Sequence, residues 1–132
     1  MARTCGHHSA FGRDRDPNWT VTDETSPEQA LLYRLSGDIN PLHADPELAA
    51  EVGFPEGPIL HGLCTFGYVG RAVLDRVAEG DPKRLKAMGA RFSKPVWPGD
   101  TIVTQGWDLG DGRVALAAHV DGRDDPVVSH AW

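Results

Sequence analysis

Two rhythms of apolar residues divide this chain. From residue 62 to about 78 the apolar positions Leu63, Phe66, Val69, Val73, Leu74 and Val77 return every three or four residues, the spacing of one helix face. Beyond it the period shortens. Residues 85–92, 101–107, 113–120 and 126–132 read as strands, with Gly110-Asp111-Gly112 and Asp121-Gly122-Arg123-Asp124-Asp125 as the later turns. Ahead of the helix, Trp19-Thr20-Val21-Thr22 predicts a short first strand. Ser26-Pro27-Glu28-Gln29 predicts a helix start with Ser26 as N-cap, Pro27 in the first turn and Gln29 closing a capping box, and that helix ends near Gly37. Asp45-Pro46-Glu47 starts a second short helix that stops at Gly53. Gly67 and Gly70 weaken the long helix, so they are expected where it approaches the sheet closely. The sum is an α+β protein: an antiparallel sheet with one long central helix, without internal repeats or linkers.

Composition narrows the picture a little. At 132 residues, 40% of them apolar, the chain fits a single domain over 18–132 behind a flexible tail at 1–17, and a domain so small often leans on a partner. No apolar run is long enough to cross a membrane, and the N-terminus lacks the apolar core of a signal peptide. Ser129-His130-Ala131-Trp132 is unlike a Ser-Lys-Leu peroxisomal address, so the expected compartment is the cytoplasm. The net charge of -6 argues against nucleic acid as partner. Cys5 and Cys64 are not expected to form a disulfide there, and Cys64 is expected to pack as a small apolar residue. Cys5, His7 and His8 crowd too closely for a metal site, so no metal is expected.

The candidate chemistry lies in Tyr33-Arg34-Leu35-Ser36-Gly37-Asp38-Ile39-Asn40-Pro41-Leu42-His43. On one continuous helix Asp38 and His43 would point roughly 140° apart. Gly37 stops a helix in the left-handed conformation and Pro41 pushes Asn40 toward extended backbone, so a loop is predicted, on which both side chains can reach one water. The same residues also suit plainer roles: Asp38 in an Asx turn, His43 as a packed loop histidine.

The surrounding blocks decide between these readings. Ala44-Asp45-Pro46, Gly53-Phe54, Pro58-Ile59-Leu60-His61-Gly62-Leu63-Cys64-Thr65-Phe66-Gly67 and Ala90-Arg91-Phe92-Ser93-Lys94-Pro95-Val96-Trp97-Pro98-Gly99 follow the loop in order. Together they resemble the (R)-specific enoyl-CoA hydratase 2, or MaoC-like, family, over nearly all of the chain after Asn18. The resemblance implies a hot-dog fold, in which a curved antiparallel sheet wraps a long helix. It also implies reversible hydration of trans-2-enoyl-CoA to (3R)-3-hydroxyacyl-CoA, with no cofactor beyond the coenzyme A of the substrate.

By the same resemblance Asp38 and His43 are the catalytic pair, and Gly62 supplies an N–H to the developing enolate oxygen. Ile39, Asn40, Pro41 and Leu42 line the substrate, Phe92 contacts it, and Arg91 and Lys94 are candidates to meet the coenzyme phosphates. Hydration needs a base to take a proton from water, a group to exchange the proton at C2, and a donor for the oxyanion. Asp38 is the leading base and His43 the C2 exchanger, although the reverse assignment stays open. Gly62 suits the oxyanion because it opens a helix, where free N–H groups gather, and has no Cβ to obstruct a thioester. Asn40 is placed to orient the carboxylate or the water through its amide.

His61 reads as a local hydrogen-bonding group ahead of the helix, and neither His119 nor His130 has a nameable partner. Trp97, Trp107 and Trp132 are expected to cover the sheet. The blocks look most like the catalytic second half of double hot-dog hydratases, and Ala10-Phe11-Gly12-Arg13-Asp14 resembles the segment joining the halves. The expected partner is therefore a second hot-dog domain, in a homodimer or a heterodimer. A non-catalytic acyl-thioester-binding subunit is the alternative; a thioester hydrolase lacks support from the loop.

Overall fold

A computed structural model describes residues 15–132, so the expectations for Cys5, His7, His8 and the segment from Ala10 to Asp14 fall outside the described residues. Strand β1 (Trp19–Glu24) leads through the short helix α1 (Gln29–Tyr33) and a 3-10 turn, Arg34–Ser36, into the loop at Gly37. A second 3-10 turn, Pro41–His43, precedes helix α2 (Pro46–Glu51), and the long helix α3 spans Gly62–Arg76. A third 3-10 turn, Pro82–Arg84, precedes β2 (Arg91–Phe92), and β3 (Thr101–Gly110), β4 (Arg113–Val120) and β5 (Pro126–Ala131) complete the chain. The sheet is antiparallel, in the order β1-β3-β4-β5-β2.

Alternation selects the face that α3 covers. Ile102, Thr104 and Gly106 of β3 sit opposite Val120, Ala118 and Leu116 of β4, and all six are buried. Helix α3 returns Cys64, Thr65, Val69, Ala72 and Val73 to that face. Each large apolar side chain so buried contributes about 1.5–3 kcal/mol. Trp19 of β1 lies over Gly106, where a Cβ would come within 2.2 Å of its ring, so glycine makes the notch that the indole fills. Asp23 of β1 is ion-paired with Arg71 of α3. Cys64 is buried, as expected, and burial pushes its thiol pKa up.

Local punctuation mostly holds. Gly37 (φ 119°) and Gly53 (φ 101°) adopt the left-handed backbone that ends the helices before them. Asp45 caps α2, its carboxylate accepting from the amides of Glu47 (2.9 Å) and Leu48 (3.3 Å). Ser26 does not cap α1. The N-cap is Glu28, without a side-chain bond, and the Ser26 carbonyl accepts from Gln29 N–H in a preceding turn. The neighbouring hydroxyl of Thr25, which donates to the Asp100 carbonyl at 2.7 Å and accepts from Gly99 N–H at 2.9 Å, fixes this corner instead.

Three further expectations need correction. Of residues 85–92 only Arg91–Phe92 is a strand, although Gly89 and Trp132 exchange two backbone bonds of 3.0 Å farther along. Leu63 belongs to the apolar repeat of α3 but is 63% exposed, because the buried stripe runs through Cys64 and Thr65. Gly67 is exposed and faces open space, while Gly70 approaches only Met88, so close contact with the sheet is not what places glycine there.

Strand β5 is irregular. Leu116 faces Ala131 and Ala118 faces Val128, so β5 spends three steps where β4 spends two; His119 facing Pro126 repeats the surplus. His130 sits in the first of these bulges with φ 49°. The bulges let the adjacent Val127 and Val128 both be buried. Trp107 is buried in the sheet layer and Trp97 partly so, whereas Trp132 lies exposed against Gly89.

Candidate active site

The loop after Gly37 is folded by its own side chains. Asp38 Oδ1 accepts from Asn40 N–H at 3.3 Å, and Asn40 Oδ1 accepts from Leu42 N–H at 3.0 Å, capping the turn Pro41–His43. It is thus the backbone amide of Asn40, rather than its side chain, that meets the Asp38 carboxylate. The turn delivers His43 inward, where its Nδ1–H donates to the carbonyl of Ile59 at 2.8 Å. A carbonyl only accepts, so Nδ1 carries the proton and Nε2 is left for chemistry.

His61 backs this loop. It is 1% exposed, and its ring stacks on that of His43 with centroids 3.8 Å apart and planes at 27°. Its Nε2–H donates to the backbone carbonyl of Asp38 at 3.1 Å, and Tyr33 packs beside it at 4.7 Å. The expected local role ahead of α3 is therefore replaced by a bond to a residue far upstream; His61 makes no side-chain cap. Burial holds its pKa below the ordinary imidazole value, against the opposing pull of the Asp38 carbonyl. His61 Nδ1 is buried without a partner among the described residues, a cost of about 1–3 kcal/mol for a stranded polar atom.

A carboxylate oxygen of Asp38 and ring nitrogens of His43 and His61 all lie within 4.8 Å of one another. That separation suits a shared water.

Beside the pair opens a cleft of about 280 Å³, lined among others by His43, Phe54, Gly62, Thr65, Phe92 and Lys94. Its wall is pinned where Leu60 N–H donates to the Val96 carbonyl (2.7 Å) and Ser93 N–H to that of Val127 (2.9 Å). Gly62 opens α3, and its N–H has no acceptor among the described residues, as the first turn of a helix requires. The Phe92 ring lies over Gly62, so that a Cβ there would stand 3.3 Å from it.

The sequence-predicted residues thus separate. His43, Gly62, Phe92 and Lys94 line the cleft; Asp38 is exposed and does not line it, its carboxylate lying within 4.8 Å of a His43 ring nitrogen. Ile39, Asn40 and Pro41 lie on the exposed outer side of the loop, Leu42 is half-buried, and none of the four lines the cleft. Arg91 is exposed on β2, and the exposed Lys94 is 3.7 Å from Asp125. Thr65 and Phe54 line the cleft without having been singled out; the helical period that places Thr65 on the inner face was the available signal.

Comparison with known proteins fits this geometry. The family model described as MaoC like domain matches residues 9–127, and the chain belongs to this family of MaoC-like dehydratase domains. Over 119 residues it is 50% identical to peroxisomal multifunctional enzyme type 2 of Mus musculus, a match covering 90% of this chain and 16% of that protein. Over 115 residues it is 47% identical to the peroxisomal enoyl-CoA hydratase 2 of Arabidopsis thaliana, covering 87% and 37%. The crystal structure of a MaoC-like dehydratase from Phytophthora capsici superposes with a TM-score of 0.90 at 42% identity, covering 99% of this chain and 45% of that one. The chain spans less than half the length of each of these relatives, and its fold is the hot dog. Among the described residues no helix is long and apolar enough to cross a membrane.

Proposed function

We propose that this chain reversibly hydrates trans-2-enoyl-CoA to (3R)-3-hydroxyacyl-CoA. The observation that carries the reading is the spacing within 4.8 Å of the Asp38 carboxylate and His43 ring, beside a helix that begins at Gly62. Water held between Asp38 and His43 loses a proton to one of them as its oxygen bonds C3. The electron pair moves to the thioester oxygen, which takes the Gly62 N–H, and collapse of the enolate draws a proton to C2. Every step is a proton transfer or an addition, so no metal or redox cofactor is required. The name of the Arabidopsis relative, enoyl-CoA hydratase 2, supports this reaction class.

The substrate enters over Phe92, and the exposed Lys94, which lines the cleft, and Arg91, next to Phe92 in β2, meet the coenzyme phosphates. The partner is a second hot-dog domain, either a copy of this chain or a different one. Supporting this are three exposed apolar side chains, Ile39 on the outer side of the loop, Leu63 next to Gly62 and Phe92 at the cleft, 70%, 63% and 50% accessible. The same exposed surface is the argument for the rival, a non-catalytic acyl-thioester-binding subunit. A binder has no use for two proton-transfer groups at a water's reach. Incubation with crotonyl-CoA decides: loss of the conjugated thioester absorbance without release of free thiol, and an (R) product, is expected. Thiol release would indicate hydrolysis, and no change, alone or with a partner, would favour the rival.

A further inference from the structure

We propose that His61 is a positioning residue for the proton-transfer pair, its Nε2–H holding the Asp38 main chain and its ring plane holding His43. This rests on the hydratase reading above. Among the described hydrogen bonds of residues 38–42, all but one stay within residues 38–45; the exception is the bond from His61 to the Asp38 carbonyl. A loop that follows a left-handed glycine and carries an exposed acid has little else to fix where that acid points. The same imidazole is the flat surface on which the His43 ring lies at 3.8 Å, while Ile59 sets the rotation of that ring through Nδ1. One buried side chain therefore sets both ends of the gap that water must fill.

The alternative, a histidine serving only to fill the core, fits less well. Phenylalanine or leucine would occupy the place without stranding Nδ1, and a stranded buried polar atom asks for a reason. The groups facing the ring are Tyr33, Arg34, Asp38 and His43. None accepts from Nδ1, so the neutral tautomer with hydrogen on Nε2 is the one the site uses. His61 touches neither water nor thioester in this scheme; it acts through its two neighbours.

The test separates donor from surface. His61→Phe keeps a ring and loses the donor; His61→Gln keeps a donor and loses the ring. With crotonyl-CoA as substrate, His61→Phe is expected to lower kcat about tenfold or more with KM within about twofold, and His61→Gln to recover part of that loss. If His61 works through Asp38 as well as His43, His61→Phe should cost less in the Asp38→Asn background than in the unaltered chain, only the part carried by His43 remaining. Amide hydrogen exchange at Asn40, Leu42 and His43, which needs no activity, should quicken about tenfold in His61→Phe and less in His61→Gln. Should His61→Phe not fold, His61→Asn, too short to reach the carbonyl, takes its place in both measurements. Unchanged exchange, a near-normal kcat, or multiplicative losses in the double variant would overturn the proposal. A wild-type chain that hydrates nothing while its loop exchange responds as expected would instead sink the hydratase reading and leave the anchoring intact.

Discussion

The two edges of the sheet are built in opposite ways. At one edge β1 pairs six residues in unbroken register with β3, Trp19 fills the notch over Gly106, and Asp23 is tied to α3 by Arg71. At the other, β2 offers two residues, both exposed, against a bulged strand. The cleft, Phe92 and the Asp38–His43 loop gather at this thinly paired end. Where the sheet is over-determined it contributes stability; where its own pairing runs out, side chains are free to meet a ligand or another domain.

If that division is real, damage at the two ends should separate cleanly. The largest effect is expected at the thin end: Asp38→Asn and His43→Gln should each lower hydration about a hundredfold or more, with thermal melting close to wild type. Near-normal turnover in either would remove that residue from the mechanism. Gly106→Ala drives a methyl into the Trp19 ring and should cost about 1–3 kcal/mol of stability in denaturant unfolding, with kcat retained under folding conditions. A loss of kcat in the folded Gly106→Ala protein would show that the edges are not independent.

Smaller effects sharpen the contrast. Gly62→Ala pushes the Phe92 ring by a few tenths of an ångström and crowds the thioester oxygen, so kcat should fall about tenfold while the melting temperature holds or rises. Phe92→Asp at the open edge should shift the mass seen by light scattering toward monomer. In the homodimer case specific activity of the unaltered chain should also fall on dilution. A monomer fully active at every concentration would show that the edge needs no cover.

The smallest effect is on pH. His61 has a folded pKa below its unfolded value, so the unfolded chain binds the extra proton between the two. Stability is therefore complete above about pH 6.5 and declines as pH falls through that window, levelling off below the folded value. Denaturant titrations of His61→Phe should lack this part of the decline.

Much of this was legible in the residues. Left-handed glycines at Gly37 and Gly53, the Asp45 cap and the start of α3 at Gly62 are local signals with local causes, and they landed where they were expected. The loop itself was legible because Gly37 and Pro41 forbid one continuous helix from Asp38 to His43. What escaped were features decided at long range. His61 looks like a helix-entry residue until the chain brings Asp38 beside it. Residues 85–90 have strand-like composition, but pairing is decided by the neighbouring β5, whose bulges interrupt the ladder beyond Arg91. Ser26 matches a capping pattern, yet Thr25 wins the corner through Asp100 and Gly99, 75 and 74 residues away.

The bulges of β5 also limit how this protein can vary in length. Each extra residue exchanges inward for outward positions, and two of them cancel, returning Ala131 to the core after Val127 and Val128. Removing or adding one residue within Pro126–Ala131 leaves that cancellation incomplete, turning either the valine pair or Ala131 into solvent. Loss or gain of a single codon would here scramble the strand, so lineages that keep this sheet must keep the length of its most irregular member.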